Sequence, residues 1–244
     1  AAVALKALPD LGDGALGAYE DAVIRVLHLD DDDPVTFWEE EFRALEARKQ
    51  AFNEMELDSL HFTGPGTDLT IGLHRGGRWQ TAQEELADGR TVRVNMPSCE
   101  IFTTPDLRRT EGRVATSKPY VSTSAPGRTI DGAWLEFREG AVVAHGADEG
   151  EELLEHVLRM DAQARFLGEI ALVDESSPVS REAIVFHNVL YDENAASHLA
   201  LGRGFPGQVP GCSGLSHEEL VDRGVNFSVV HDDLMIGSEE VSVT

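Results

Sequence analysis

The chain has 244 residues, 41% of them hydrophobic and 26% charged, which is enough to build one large globular domain or two small ones. Its 44 acidic residues outnumber 20 basic ones, so the formal net charge is −24. This balance argues against nucleic acid and against an anionic membrane as partners, because both reward lysine and arginine. A solvated acidic surface is the simplest interpretation of the charge.

The cysteines and the hydropathy pattern favour a cytoplasmic location. Cys99 and Cys212 form no CxxC pair and no disulfide framework, which is typical of a reducing compartment. We expect Cys99 to be a buried, unreactive thiol. No stretch is apolar for long enough to cross a bilayer, and the first residues lack the basic start of a secretion signal.

The first sixty residues predict a helical lead-in. Residues 17–29 have a helical pattern that ends at the acidic run 30–33. Asp33 followed by Pro34 predicts the start of a second, long helix, because an aspartate cap before a first-turn proline is a common helix start. Its apolar positions recur at helical spacing and predict core packing. These positions are Trp38, Phe42, Leu45, Phe52 and Met55.

Short strands separated by glycine-containing turns are predicted between residues 68 and 147. A helix is predicted over 149–167, with Gly168 as its C-cap. The apolar run 169–173 predicts the next strand, and a further strand is expected near 183–190.

Toward the C-terminus, Asp192 is expected to cap a short helix that contains His198 and ends at Gly202. The segment SHEELVDRG predicts a small helix, and residues 229–237 predict the final strand. Strands and helices without a regular βαβ rhythm predict an α+β fold. We expect a largely β-rich domain with flanking helices and a site between strand ends and a short helix.

The final strand, VVHDDLMIG, places charge inside an apolar run. Side chains alternate along a strand, so His231 and Asp233 share one face and Asp232 lies on the other. An unpaired carboxylate in such surroundings costs several kcal/mol, so it requires a partner or a metal. A buried histidine–aspartate hydrogen bond and a metal site both satisfy this requirement.

Three more polar residues lie in apolar surroundings. Glu100 follows a predicted strand in NMPSCEIFTTPD, Glu169 precedes four apolar residues, and His198 lies among small apolar residues. The nucleophile-elbow, phosphate-loop, dinucleotide-binding and HExxH patterns are missing from the sequence. Together with the pair in the final strand, these residues form a ligand set that suits one or two divalent metals. Glu193 precedes His198 by five positions, which is a poor spacing for one helical face.

At these residues the chain resembles the thermophilic-type metalloaminopeptidases, the aminopeptidase T and aminopeptidase S group. The matching segments include GPGTDLTIGL, MPSCEIFTTPD, LEFREGAVV, ARFLGEIALV, the long stretch SPVSREAIVFHNVLYDENAASHLALGRGFP, GLSHEELVDRGVN and HDDLMIGS. They keep the family order from about residue 34 to the C-terminus. The resemblance implies that residues 1–244 are the catalytic C-terminal part of such an enzyme, without the domain that precedes it in the family. The metal ligands that it implies are Glu100, Glu169, His198, His231 and Asp233.

The resemblance further implies an aminopeptidase that releases N-terminal amino acids from peptides with a free N-terminus. Two divalent ions would activate a water, with zinc expected first and cobalt or manganese as alternatives. Glu169 or Glu193 would act as general base, and the chain would form a homodimer. The family has a tyrosine seven residues after the histidine of its DENAxxH segment, where this chain has Phe205.

Two other functions are compatible with the same residues. Phe205 and the missing domain suggest a non-catalytic metal-binding or assembly domain that descends from such an enzyme. A metal-dependent hydrolase of another amide is the third alternative, and it would keep the ligands but refuse a free α-amino group.

Overall fold

The computed structural model describes residues 1–125, 127–182 and 184–244. Its α-helices in these ranges are α1 (Ala2–Ala7), α2 (Ala15–Val26), α3 (Pro34–Met55), α4 (Glu151–Val157), α5 (Pro178–Glu182), α6 (Val189–Asp192) and α7 (His217–Asp222). Short 3₁₀ helices cover Pro9–Gly14, Glu193–Ala195 and Pro206–Gln208.

The β-strands lie between and after these helices. They are β1 (Ser59–Gly64), β2 (Thr67–Leu73), β3 (Gln83–Glu85), β4 (Thr91–Arg93), β5 (Glu100–Thr103), β6 (Pro105–Ala115), β7 (Tyr120–Val121), β8 (Thr129–Ile130), β9 (Trp134–Arg138), β10 (Ala141–Gly146), β11 (Leu167–Val173), β12 (His198–Gly202), β13 (His231–Met235) and β14 (Ser242–Val243). This antiparallel, β-rich arrangement with several helices confirms the predicted α+β class. None of the helices in the described ranges has the length and apolar character that crossing a membrane requires.

Helix α3 begins as the sequence predicts. Pro34 is its first residue, and the carboxylate of Asp33 accepts a hydrogen bond from the backbone N–H of Thr36 at 3.1 Å. The first three positions of the predicted apolar stripe are buried, but the last, Met55, is 58% exposed. The stripe prediction is therefore wrong at the C-terminal end, where the helix extends beyond the core.

Two sheets form the centre of the chain. The larger has six strands in the order β10-β9-β6-β2-β1-β14, and the smaller has four in the order β13-β12-β11-β5, with every pair antiparallel. Strands β3 and β4 pair as one small hairpin, and β7 and β8 as another. One continuous apolar cluster joins helix α3 to residues of both larger sheets.

The predicted helix over 149–167 is wrong beyond Val157, where α4 ends. The carboxylate of Asp161 accepts hydrogen bonds from the backbone N–H groups of Gln163 and Val229, which hold the chain in a turn. Gly168 lies inside β11 and is not a helix cap. A Cβ at this position would lie 2.1 Å from the carbonyl oxygen of Gly202, so the close approach of two strands requires glycine.

The region before β12 also differs from the prediction. Residues 184–190 contain the start of α6 and no strand, and the remaining residue of the predicted strand lies outside the described ranges. Asp192 directly precedes the 3₁₀ helix Glu193–Ala195, but its side chain makes no capping hydrogen bond there, because its carboxylate accepts from the backbone N–H groups of Phe186 and Asn188. His198 begins strand β12, so the helix predicted around it is wrong. Small apolar residues permit either structure, and pairing with strands on both sides selects the strand.

Candidate metal centre

One face of the four-stranded sheet carries three of the predicted site residues in close register. Glu169 of β11 pairs with Ala200 of β12, and Ala200 pairs with Asp233 of β13. Directly paired residues in antiparallel strands point to the same face, and side chains alternate along each strand. His231, two residues before Asp233, therefore shares this face.

The same rule places Glu100 and His198 on that face. Ala171 pairs with His198 on one side and with Phe102 on the other. Glu100 lies two residues before Phe102 in β5, so its side chain points in the same direction. The small alanine leaves room above the sheet, and Nε2 of His198 lies 3.4 Å from Oε2 of Glu100.

Above Ala200, the side chains of three residues converge. Nε2 of His231 lies 3.2 Å from Oε2 of Glu169 and 3.4 Å from Oδ1 of Asp233. Among the described residues, these three are the group whose candidate ligand atoms all lie within 4.8 Å of one another. The Glu100–His198 pair lies beside this group on the same face.

Hydrogen bonds to the backbone fix the orientation of both imidazoles. Nδ1–H of His231 donates to the carbonyl oxygen of Arg203 at 2.8 Å, and Nδ1–H of His198 donates to that of Ala196 at 3.2 Å. A carbonyl only accepts, so Nδ1 carries a proton in each ring, and Nε2 is the nitrogen that faces the carboxylates. Metal-binding histidines usually have this arrangement, because a bonded second nitrogen fixes the ring and its tautomer.

The carboxylate oxygens of the centre fit a divalent cation. Both Oδ atoms of Asp233 and Oε2 of Glu100 are buried and accept no well-aligned hydrogen bond among the described residues. Only imidazole nitrogens approach them, at 3.4 Å from Oδ1 of Asp233 and from Oε2 of Glu100. Buried polar groups are otherwise almost always paired, so oxygens of this kind call for a cation. Carboxylates with imidazoles are a donor set that suits zinc, manganese and related divalent metals.

The chain places more negative than positive charge at this centre. Burial, reinforced by the carboxylates of Glu193, Glu169 and Asp233, raises the pKa of Glu100 well above its usual range. Although burial opposes the shift, the carboxylates of Asp233 and Glu169 raise the pKa of His231 to about 12. A proton on His231 thus takes the place of a cation between two carboxylates.

Glu193 reaches the same centre from outside the sheet. Burial and the carboxylates of Asp233 and Glu169 raise its pKa to about 9. Glu193 and Asp233 line a cavity of about 10 Å³, close to the space that one water molecule needs, together with Tyr120 and Met235. The five-residue spacing between Glu193 and His198 does not decide whether their side chains meet, because a 3₁₀ turn and a strand replace the predicted helix.

Phe205 stands at the edge of the centre. Its ring centroid lies 5.7 Å from that of His231 and 5.1 Å from that of Phe102, edge to face in both cases. The ring therefore forms an apolar wall next to a candidate ligand, at the position where the family resemblance predicts a hydroxyl.

A family model described as thermophilic metalloprotease (M29) matches residues 1–244. The chain belongs to this metalloprotease family. Membership confirms the predicted family and, with it, the use of a divalent metal that the family description implies.

Named members of the M29 family are closely similar to this chain. Aminopeptidase T of Thermus aquaticus is 43% identical over 222 residues, which are 91% of this chain and 53% of that protein. Aminopeptidase PepS of Streptococcus thermophilus is 39% identical over 221 residues, again 91% of this chain and 53% of that protein. The chain therefore spans about half the length of the curated relatives it matches.

Solved structures match the M29 chain in fold. Wild-type AmpT from Thermus thermophilus superposes with a TM-score of 0.85 at 37% identity, covering 95% of this chain and 55% of that chain. A 2,5-dihydroxypyridine dioxygenase from Pseudomonas putida KT2440 superposes with a TM-score of 0.53 at 14% identity, covering 84% of this chain and 55% of that chain. At that identity, the dioxygenase shares the fold alone.

Two features of the centre were not predictable from the sequence of this M29 chain. Tyr120 and Val121 line the cavity beside Glu193, although their segment contains no acidic residue, no histidine and no recognisable motif. Ala171 and Ala200 make room for the converging side chains, and this follows from strand register alone. The roles of the five predicted ligands stay a prediction.

Proposed function

We propose that this chain is the catalytic part of a metal-dependent aminopeptidase that releases N-terminal amino acids from peptides. The observation that carries the proposal is the pair of buried, unpartnered oxygens of Asp233, beside Glu169 and His231. Relatives named aminopeptidases, at about 40% identity over 91% of the chain, support the reaction class.

Charge balance favours two divalent ions over one. The centre has four carboxylates, those of Glu100, Glu169, Glu193 and Asp233, and two histidines that bind metals as neutral imidazoles. Two divalent cations supply the four positive charges that neutralise this set, whereas one leaves two negative charges buried. We propose His198 and Glu100 as ligands beside the group of Glu169, His231 and Asp233. Zinc is the first choice, and cobalt or manganese are alternatives.

When bound, divalent ions in such a site lower the pKa of water and polarise the scissile carbonyl. The residues of the chain hold, orient and exchange protons around that reaction. Glu193 is our candidate general base, because none of the described hydrogen bonds uses its carboxylate and it lines the small cavity with Asp233. Glu169, which contacts His231, is the alternative base.

The free N-terminus of a peptide suits a centre of this kind. The lone pair of a neutral α-amino group can bind a divalent ion held there, and the amide nitrogen of an acylated N-terminus offers no such lone pair. We therefore propose unblocked peptides as the substrates, and this interaction as the reason for the preference.

Two measurements test this function together. The first loads the purified chain with Zn²⁺ or Co²⁺, removes free ions and counts bound metal, where we expect about two ions per chain. The second compares hydrolysis of a leucine p-nitroanilide with a free amino group and of its N-acetylated form. His231→Ala and Glu169→Ala should lose metal and activity, and His61→Ala, which changes an exposed histidine of the six-stranded sheet, should lose neither.

The outcomes separate the three functions. Cleavage of the free substrate alone supports the aminopeptidase, and cleavage of both substrates supports a hydrolase of another amide. Bound metal without cleavage supports the non-catalytic metal-binding or assembly domain, which the apolar ring of Phe205 beside His231 favours. A chain that takes up no metal contradicts both hydrolases and leaves an assembly domain in which these residues form a buried hydrogen-bonded network.

We also propose a cytoplasmic, homodimeric protein. The two free cysteines, Cys99 and Cys212, are both buried, and burial raises the pKa of the Cys99 thiol to about 12, which keeps it unreactive. The homodimer is an implication of the family resemblance. Sedimentation equilibrium at micromolar concentration tests it, and a mass of 26.6 kDa would refute it.

A further inference from the structure

Strand β13 carries two candidate ligands and is an edge strand of the four-stranded sheet. Its free edge is covered by residues 117–124, which we name the covering segment. At one end of this segment, the backbone N–H of Ser117 donates to the carbonyl oxygen of Met235 at 2.8 Å. At the other end, the hydroxyl of Thr123 lies within hydrogen-bonding distance of the carbonyl oxygen of His231.

Asp232 joins the covering segment to β13 most firmly. It is 0% exposed and points to the face opposite its neighbours His231 and Asp233. Its Oδ2 accepts from the hydroxyl of Ser122 at 2.6 Å, and its Oδ1 accepts from the backbone N–H of Thr123 at 2.9 Å. The Thr123 hydroxyl also lies within hydrogen-bonding distance of Oδ1.

Both carboxylate oxygens of Asp232 thus bind donors of the covering segment. Bonds to a charged acceptor are shorter and stronger than neutral ones, and several on one carboxylate hold a loop in a single conformation. Ser122 is itself 0% exposed, so its bond to Asp232 is shielded from water.

The covering segment also forms a wall of the metal centre. Tyr120 and Val121 are 1% and 8% exposed, and both line the cavity that contains Glu193 and Asp233. A shift of the segment away from β13 would open this cavity to solvent. Asp232 therefore connects the ligand strand to the wall that encloses one of its ligands.

We propose that Asp232 is a positioning residue that, through Ser122 and Thr123, keeps the covering segment closed over Asp233 and thereby slows the loss of a metal held there. The inference rests on the proposed metal site, but not on peptidase activity. Residues around a metal site that hold ligands in place typically change affinity or activity by about 10–100-fold when they are replaced.

Thr123→Val tests this most cleanly, because Thr123 is exposed and valine keeps the shape while it removes the hydroxyl. The chain is loaded with Co²⁺ and mixed with excess EDTA, and the decay of the cobalt absorption is followed. We expect Co²⁺ release about 10-fold faster than from the parent, with an unchanged initial spectrum because all ligands remain. Thr123→Ser restores a hydroxyl and should restore the slow release.

Asp232→Asn is the second variant, and Thr63→Val is the matched control. The Thr63 hydroxyl bonds that of Ser242 in the six-stranded sheet, at 2.8 Å, so its loss removes a threonine hydroxyl bond that takes no part in joining the covering segment to β13. We expect Asp232→Asn to release Co²⁺ faster than the parent and Thr63→Val to release it at the parent rate.

Hydrogen exchange supplies a readout that needs no metal. Amides of residues 120–124 should exchange about 10-fold faster in Thr123→Val than in the parent, whereas those of β1 and β2 should not change. Parent-like exchange and parent-like Co²⁺ release in Thr123→Val would overturn the proposal. If the parent takes up no metal, the proposed function fails. In that case, unchanged hydrogen exchange in Thr123→Val would by itself overturn the proposal that these bonds keep the covering segment closed.

Discussion

The six-stranded and four-stranded sheets use the same antiparallel pairing but bury opposite kinds of side chain. The inward positions of the larger sheet are apolar and almost completely buried, as Leu69, Ile71 and Leu135 show. One face of the smaller sheet holds Glu169, His198 and Asp233, which are also at most 5% exposed. Apolar burial stabilises by itself, whereas buried carboxylates are unfavourable until a cation compensates them. We infer that the larger sheet supplies much of the folding stability, and that the smaller sheet is less stable without metal because it holds the buried carboxylates of the candidate site.

The largest effect should follow from the loss of a carboxylate in the smaller sheet. Asp233→Asn removes the charge from the buried, unpartnered oxygens, so we expect a loss of metal affinity of more than about 100-fold, since even supporting residues contribute 10–100-fold. Competition with a fluorescent chelator measures this. Asp68→Asn is the matched control, because Asp68 pairs with His61 at 2.8 Å on the exposed surface of the larger sheet. Equal losses of metal affinity in Asp233→Asn and Asp68→Asn would contradict the inference that the smaller sheet holds the metal.

Metal should stabilise the smaller sheet selectively. At 100 times its dissociation constant, each bound Zn²⁺ adds about 2.7 kcal/mol to the free energy of unfolding. For a chain of this length, Tm should rise by about 5–10 °C for each ion bound. Calorimetry measures the shift, and hydrogen exchange locates it, with slower exchange expected in β11–β13 and little change in β1 and β2. A shift of the same size in His231→Ala would show that Zn²⁺ binds elsewhere.

A smaller effect concerns pH. In the metal-free chain, the pKa of Glu193 is raised to about 9, so the folded state retains a proton that the unfolded chain has lost above pH ~4.3. The pKa of His231 is raised to about 12, which acts in the same direction above pH ~6.5. Stability should therefore decrease as the pH rises from 5 to 9.

Urea unfolding of the metal-free chain at several pH values checks this slope. Glu193→Gln cannot titrate and should flatten it, whereas Glu84→Gln, which changes an exposed glutamate of the β3–β4 hairpin, should leave it unchanged. Stability that increases between pH 5 and 9 would contradict the assignment of both protons.

The sequence predicts the α+β class, the start of α3 and the final strand. It also predicts that His231 and Asp233 lie on one face of that strand and Asp232 on the other. Each depends on a local signal, such as the Asp33–Pro34 start or the alternation along 231–233. The residues of β12 were assigned wrongly to a helix, because small apolar residues fit a helix as well as a strand. Only their pairing with β11 and β13, which are remote in the chain, decides between the two.

The candidate ligands were chosen because charge is costly among apolar neighbours, and that argument needs no knowledge of the fold. Their arrangement was not predictable, since it depends on the register of four strands. Glu193 shows the difference. In the predicted helix, Glu193 and His198 would lie on different faces. In the structure, the 3₁₀ turn at Glu193–Ala195 brings Glu193 to the cavity beside Asp233.

Ala171 and Ala200 have a consequence for the interpretation of related sequences. Glu100 and His198 meet above Ala171, and Glu169 and Asp233 lie on either side of Ala200, so the space for a cation is the volume that these two side chains do not occupy. A leucine at either position would fill that space while every ligand stayed in the sequence. Homologues of this kind are expected to be pseudoenzymes, and an alignment that scores ligands alone would count them as active.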